Sequence, residues 1–302
     1  MKGLFAGSGS DALNNPTVCK RVLELVGKAC SEITLLYLGT ATYDSTSAKV
    51  RQTSWFNDQG VRITEIKCAT NQPTKEEMES KTSEADIVLV SGGNTLFAVD
   101  RWKNIGLGAL LETSMNQGSV LCGGSAGAIC WFDGGHSDSM DPDSYQPKYR
   151  EEHLTQESSW EYVRVGCLGF LPGLACPHYD KVQSNGVLRA TDFQEMVSRH
   201  PTERGICIDH WAALVVDGEA YSVFTVDGKP GSVMDDETFS ETQQGKPGIW
   251  IKDAGSGGKA IKTTLAPSQG LLKDLLRQPT GGSTTEDPRL SLARKENPQP
   301  QE

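Results

Sequence analysis

The sequence predicts a three-layer α/β fold with a mainly parallel sheet, and three observations carry that prediction. Apolar runs alternate with segments of helical spacing over the first 130 residues. The runs are continuous rather than alternating, as in Ile87-Val88-Leu89-Val90, which is the pattern of a strand buried on both faces. The segments between them are long enough to be crossover helices, as parallel neighbours require.

The elements follow in order. Leu4-Phe5-Ala6 is the first strand and ends in the polar turn Gly7-Ser8-Gly9-Ser10. Pro16 to Lys28 carries Val18, Val22, Leu23, Leu25 and Val26 at helical spacing, with Pro16 at a first-turn position. Ile33 to Leu38 is a buried strand, followed by a helix over Ser45 to Asn57 and a strand over Val61 to Ile66. Lys75 to Thr82 is helical, Ile87 to Val90 a strand, and Leu96 to Trp102 and Leu107 to Met115 helical again. Ser119-Val120-Leu121 is a strand that runs into glycines.

Beyond Trp131 the pattern loosens. Asp133 to Gln156 reads as a long polar loop, functional or mobile at that length. Leu168 to Leu171 and Leu174 to Cys176 are apolar again, Phe193 to Arg199 reads as a helix, and Gly205–Asp209, Ala212–Val216 and Tyr221–Phe224 form a strand series with hairpin-like spacing. One domain over 1–265 is expected, then a polar, disordered tail over 266–302 that contains Gly281 to Thr285.

The 302 residues carry a net charge of -10 and show no basic stripe, which argues against a nucleic-acid partner. The eight cysteines stand singly, with no Cys-x-x-Cys pair for zinc or redox chemistry. Thiols buried as small apolar residues favour a reducing compartment. With neither a signal peptide nor a membrane span legible, a soluble cytoplasmic protein is expected.

The chemistry gathers at Cys122-Gly123-Gly124-Ser125-Ala126-Gly127-Ala128. Gly-x-Ser-x-Gly between a strand and a helix is the sequence form of a nucleophile elbow, which pushes a serine hydroxyl out at the carboxyl end of a sheet. The plainer alternative is a glycine-rich turn. A serine nucleophile needs a base, and of the five histidines His178 is favoured because it follows an apolar run and Pro177 at a strand end. His210 is second; His136 lies in the polar loop, and His153 and His200 sit among charges. Asp138, Asp180 and Asp209 are the acids that could orient the base. Ala126 N–H is one oxyanion donor by elbow geometry; Ser91-Gly92-Gly93-Asn94-Thr95 reads either as the source of the second, through Gly93, or as a simple strand-helix turn. No lysine stands at a P-loop position, and Gly7-Ser8-Gly9-Ser10-Asp11-Ala12 is a weak match to a dinucleotide fingerprint.

Ser91–Thr95, Gly124–Ala128, Pro177-His178-Tyr179 and Gly205–Asp209 together resemble the peptidase E (aspartyl dipeptidase) and cyanophycinase family of serine peptidases, over roughly residues 1 to 230. The resemblance implies a class I glutamine amidotransferase-like (flavodoxin-like) fold, here with a C-terminal β-rich extension. It implies Ser125 as nucleophile, His178 as base, and Gly93 and Ala126 as oxyanion donors. It also makes Arg189 the cation for a substrate Asp side chain, with Asn94 as a second substrate contact. Some members carry Asp-Glu where this chain has Asp209-His210, and there the Glu is the triad acid. Others use an aspartate in the loop after the elbow, so Asp138 is the expected acid and Asp209 the reserve.

The expected activity is therefore hydrolysis of short peptides with an N-terminal Asp through an acyl-enzyme, without metal or organic cofactor. The rival readings are hydrolysis of β-Asp-Arg peptides and a non-catalytic binding protein of the same fold. A small peptide is the expected substrate, and the sequence leaves a homodimer open.

Overall fold

The chain folds, in a computed structural model, with residues 1–153, 160–232, 234–235, 238–239, 245–255, 260–280 and 286–300 described. In chain order the strands are Lys2–Ala6 (β1), Thr34–Leu38 (β2), Arg62–Glu65 (β3), Ile87–Val90 (β4), Val120–Gly124 (β5), Phe132–Ser137 (β6), Val163–Gly166 (β7) and Leu171–Cys176 (β8). They continue as Gly205–Ile208 (β9), Ala212–Asp217 (β10), Ala220–Thr225 (β11), the two-residue pair Met234–Asp235 (β12) and Thr238–Phe239 (β13), then Ile249–Ala254 (β14), Ile261–Leu265 (β15) and Gln269–Leu271 (β16). The first helices are Ser10–Leu13 (α1), Pro16–Val26 (α2), Thr46–Asp58 (α3), Lys75–Ser83 (α4), Thr95–Ile105 (α5), Leu107–Asn116 (α6) and Ala126–Ile129 (α7). Pro147–His153 (α8), Arg189–Arg199 (α9), Leu272–Leu275 (α10) and Leu290–Glu296 (α11) complete them.

The larger sheet has the order β16-β11-β10-β1-β5-β4-β2-β3. Its β1, β5, β4, β2 and β3 are parallel, as the unbroken apolar runs predicted. Side-chain alternation divides β1, β5, β4 and β2 between two cores: Leu4, Leu35, Leu89 and Cys122 face Val18, Val22 and Phe56, while Phe5, Leu36, Val88 and Leu121 face Val99, Trp102 and Leu111. Helices thus cover both faces, and the three-layer α/β architecture holds, with extra C-terminal strands.

Local chemistry sets the helix ends. Asn15 accepts the Thr17 N–H ahead of Pro16, and Gly27 closes α2 in the left-handed region at φ 70°.

The second half departs from the expectation in three places. Residues 132–137 form β6 rather than a loop; Gly134 and Gly135 let that backbone pack against Val165 and Ala175, and no apolar run marks it. Residues 154–156 of the expected loop, and the His153 side chain, lie outside the described residues. The strand series 205–224 is divided: β9 joins a six-stranded sheet of order β15-β14-β9-β8-β6-β7, while β10 and β11 form an antiparallel hairpin on β1. Where a disordered tail is expected, β16 pairs with β11, and Leu290 and Ala293 of α11 are buried with Leu96, Val163 and Val165. Residues 281–285 of that tail lie outside the described residues.

Candidate active site

Parallel pairing of β1, β5 and β4 brings their carboxyl ends side by side, with Ala6 opposite Gly124 and Val90 opposite Gly123. Ser125 stands at that edge. Its φ of 56° and ψ of −122° are a strained conformation for a side-chain-bearing residue, of the order of 1–3 kcal/mol. The surroundings impose it. A Cβ on Gly124 would lie 1.9 Å from the Ser8 carbonyl and one on Gly127 2.2 Å from the Val90 carbonyl, so only glycine lets the turn close. Ser125 N–H donates to Ala6 O (3.1 Å), and the Ser125 carbonyl accepts from Ala128 and Ile129 at the start of α7 (2.9 and 3.0 Å).

Gly93 takes φ 119°, and a Cβ there would lie 2.2 Å from Ala41 O. Among the described residues, no protein group accepts the Gly93 or Ala126 N–H, which leaves both free for a substrate oxygen. Asn94 does not serve the same cavity. Its Oδ1 caps α5 by accepting the Phe97 N–H (2.9 Å), and its Nδ2 donates to Ser139 O (3.1 Å) and Ser144 Oγ (2.9 Å).

His178 follows β8 of the second sheet, also at positive φ (50°). Its N–H donates to Gly7 O (2.9 Å), and that bond ties the end of β8 to the end of β1. Ser125, His178, Gly93, Gly92, His210, Asp11, Arg51 and neighbours line one open pocket of about 300 Å³.

The third position is not where the sequence put it. Asp138 Oδ2 lies 3.5 Å from Arg189 Nη1, and Arg189, fully buried, also donates to His136 O (2.7 Å) and His136 Nδ1 (3.2 Å). Neither residue lines the Ser125 pocket. The Asp209 carboxylate is spent on Ser232 N and Oγ, Gly248 N and Trp250 Nε1. What meets His178 Nδ1 is His210 Nδ1, at 2.9 Å, and His210 Nε2 in turn lies 3.0 Å from Asp11 Oδ2. The Asp180 carboxylate holds the His210 backbone N–H at 2.7 Å.

A model of peptidase family S51 matches residues 4–224. The chain belongs to peptidase family S51. It is a serine peptidase of that family. A Trypanosoma brucei brucei protein named G2/mitotic-specific cyclin-1 is 30% identical over 93% of this chain and 89% of its own length; that name is that protein's. The uncharacterized peptidase YgaJ of Bacillus subtilis (strain 168) is 34% identical over 47% of this chain and 52% of its own. Two solved structures share the fold. A protein assigned to peptidase E from Listeria monocytogenes EGD-e has TM-score 0.54 and 17% identity, over 75% of this chain and 98% of that one. A peptidase from an acI-B1 Actinobacterium has TM-score 0.56 and 16% identity, over 89% and 96%.

In this S51 peptidase the electrostatics favour an uncharged His178 imidazole. Burial, then the Arg189, His210 and Lys181 charges, hold the His178 imidazole well below its ordinary 6.5. Burial also lowers His210, against the opposing pull of Asp11. Cys122 is no rival nucleophile: burial raises its thiol. All eight cysteines are free, and six of them are buried.

Asp11 and Arg51 were not singled out from the sequence. Asp11 lies in the first turn of α1, within the stretch Gly7–Ala12 that matches a dinucleotide fingerprint only weakly. The available signal was that this stretch leaves a parallel strand, and loops after the carboxyl ends of such strands converge at the site.

Proposed function

We propose that this S51 peptidase hydrolyses short peptides with an N-terminal aspartate. The observation that carries the reading is Arg51, the one Lys or Arg among the residues that line the Ser125 pocket. A guanidinium there can grip the substrate's side-chain carboxylate in a bidentate pair. Arg189, buried on Asp138 and His136, is replaced by Arg51 in that role.

In this reading the steps are as follows. The Ser125 hydroxyl proton passes to His178 Nε2 as Oγ attacks the carbonyl carbon after Asp. The oxyanion is met by the Gly93 and Ala126 N–H groups. His178 then gives its proton to the leaving amine, and water returns the acyl-enzyme to free Ser125 by the same path. No step calls on a metal, and the described residues hold no cluster of three or more His, Cys, Asp or Glu placed to bind one.

The test compares Asp-X, β-Asp-Arg and Ala-X peptides on the full chain, with Ser125→Ala and Arg51→Met. Asp-X is turned over, Ser125→Ala abolishes turnover, and Arg51→Met raises KM for Asp-X about tenfold, the loss of one exposed charge-assisted pair. Preference for β-Asp-Arg moves the specificity to that rival. No turnover, with no labelling of Ser125 by a serine-directed phosphonate, leaves a binding protein.

A further inference from the structure

Among the described residues no carboxylate is hydrogen-bonded to the His178 ring, yet a serine-activating imidazole must keep its proton on the nitrogen away from serine. The three-residue chain behind it fixes where that proton sits. A carboxylate only accepts, so the 3.0 Å bond between His210 Nε2 and Asp11 Oδ2 places a proton on His210 Nε2. A neutral imidazole carries one N–H, which leaves His210 Nδ1 as a lone pair. In the 2.9 Å bond to His178, the donor must then be His178 Nδ1–H. His178 Nε2 is left as the lone pair, and Nε2 is the ring nitrogen not engaged by His210.

We propose that His210 and Asp11 together replace the triad carboxylate: Asp11 sets the His210 tautomer, and His210 sets that of His178. The inference rests on the reading of Ser125 and His178 as nucleophile and base. When His178 takes the Ser125 proton, its Nδ1–H strengthens toward His210 Nδ1, and the positive charge is spread along a chain that ends on the Asp11 carboxylate. The relay is held from three directions. His178 is anchored through its N–H to Gly7 O, His210 through its N–H to Asp180, and Asp11 sits on α1 directly after the β1 turn. The other charged groups bearing on the two rings are Arg189 of α9 and the ion pair Lys181–Asp180 (3.3 Å), and Arg51 of α3 lines the same pocket. None of these is an acceptor for His178 Nδ1. Both histidines are lowered from their ordinary range, so the neutral pair is the resting form near pH 7.

A carboxylate placed at position 210 would face His178 directly, which provides the test. Asp11→Ala, His210→Glu and the double variant are compared in the full chain. The Asp11 side chain is 60% exposed and, among the described residues, bonds only to His210, so its removal spares the fold. Asp11→Ala is expected to lower kcat roughly tenfold with KM unchanged, less than the loss on corrupting a buried triad acid because solvent screens Asp11. It also moves the acidic limb of kcat/KM to lower pH, since the His178 imidazolium loses a countercharge. His210→Glu supplies the carboxylate directly, and in that background the Asp11→Ala loss shrinks to less than threefold. Nitrogen-15 spectra of histidine-labelled protein read the tautomers without any substrate: protons on His178 Nδ1 and His210 Nε2 in the parent, a mixture of tautomers in Asp11→Ala. The rate of phosphonate labelling at Ser125 follows the same order as kcat.

A rise in KM alone would make Asp11 a substrate contact and overturn the relay. Equal Asp11→Ala losses in both backgrounds, or a parent His178 protonated on Nε2, would also overturn it. If Ser125→Ala retains full activity, the reading of the site itself fails; if it is dead while the Asp11 variants are normal, only the relay fails.

Discussion

Arg189 Nη1 lies 3.5 Å from Asp138 Oδ2, and the Arg189 side chain is sealed from solvent. The two residues that the family resemblance assigned to catalysis and to substrate are therefore each other's partners. Tyr162 stacks beneath, 4.9 Å from the guanidinium, and His136 O takes a further N–H. A buried cation left without its carboxylate is costly, whereas a triad acid left out is costly to turnover. Asp138→Ala is expected to lower the unfolding free energy by about 2 kcal/mol and to change kcat less than threefold. Urea titration and Asp-X kinetics on the same sample check it. A hundredfold loss of kcat at unchanged stability would return Asp138 to the triad.

Acid sensitivity should be traceable to His136. It is fully buried, stacked on Tyr162 at 4.1 Å, with Nε2 2.7 Å from Asp192, and burial pulls it down to about 4. The unfolded imidazole titrates near 6.5, so between 6.5 and 4 the unfolded chain binds a proton that the folded chain refuses. The contribution is full above pH 6.5 and is lost as pH falls through 4, at most about 3 kcal/mol. Asp209 has the opposite sign. Burial raises it to about 6, so its contribution is present below its ordinary 3.8 and lost as pH rises through 6. The stability difference between the parent and His136→Gln should therefore grow from pH 4 to pH 6.5, because the Asp209 effect is common to both. A difference independent of pH would show that His136 is charged in the folded chain.

The C-terminal segment should be part of the folding unit. Arg294 grips Asp100 (2.7 and 3.2 Å), Asn297 joins Tyr43 Oη (2.8 Å) and Gln146 N (3.1 Å), and Leu290 is 1% exposed. Truncation after Thr280 exposes Leu96, Val163 and Val165 as well as losing Leu290 and Ala293. A loss of about 3 kcal/mol in unfolding free energy is expected from that apolar area, with a lower thermal midpoint. An unchanged midpoint would show the segment to be an appendage.

The parts of this protein that were legible in the sequence are those decided within a few residues. Continuous apolar runs mark strands buried on both faces because burial on two sides leaves no place for a polar residue, and β1, β2 and β4 obey. The elbow was legible because Gly124 and Gly127 are forced by backbone atoms that touch them, and Ser125 can occupy its strained turn only between such neighbours. β6 was not legible, since a strand made of Gly134, Gly135 and His136 owes its burial to Tyr162, just ahead of β7, and to Ala175 of β8.

The sequence by itself determined the scaffold, the position of Ser125 and the place of His178 at a strand end. Only the tertiary structure decided which groups stand behind His178. Asp11 and His210 are 199 positions apart and meet because β10, directly after His210 and Trp211, pairs antiparallel with β1, directly before the turn that carries Asp11. Hydrogen-bond direction depends on distance in space, and neither a tautomer nor a buried ion pair such as Arg189–Asp138 leaves a mark in residue spacing.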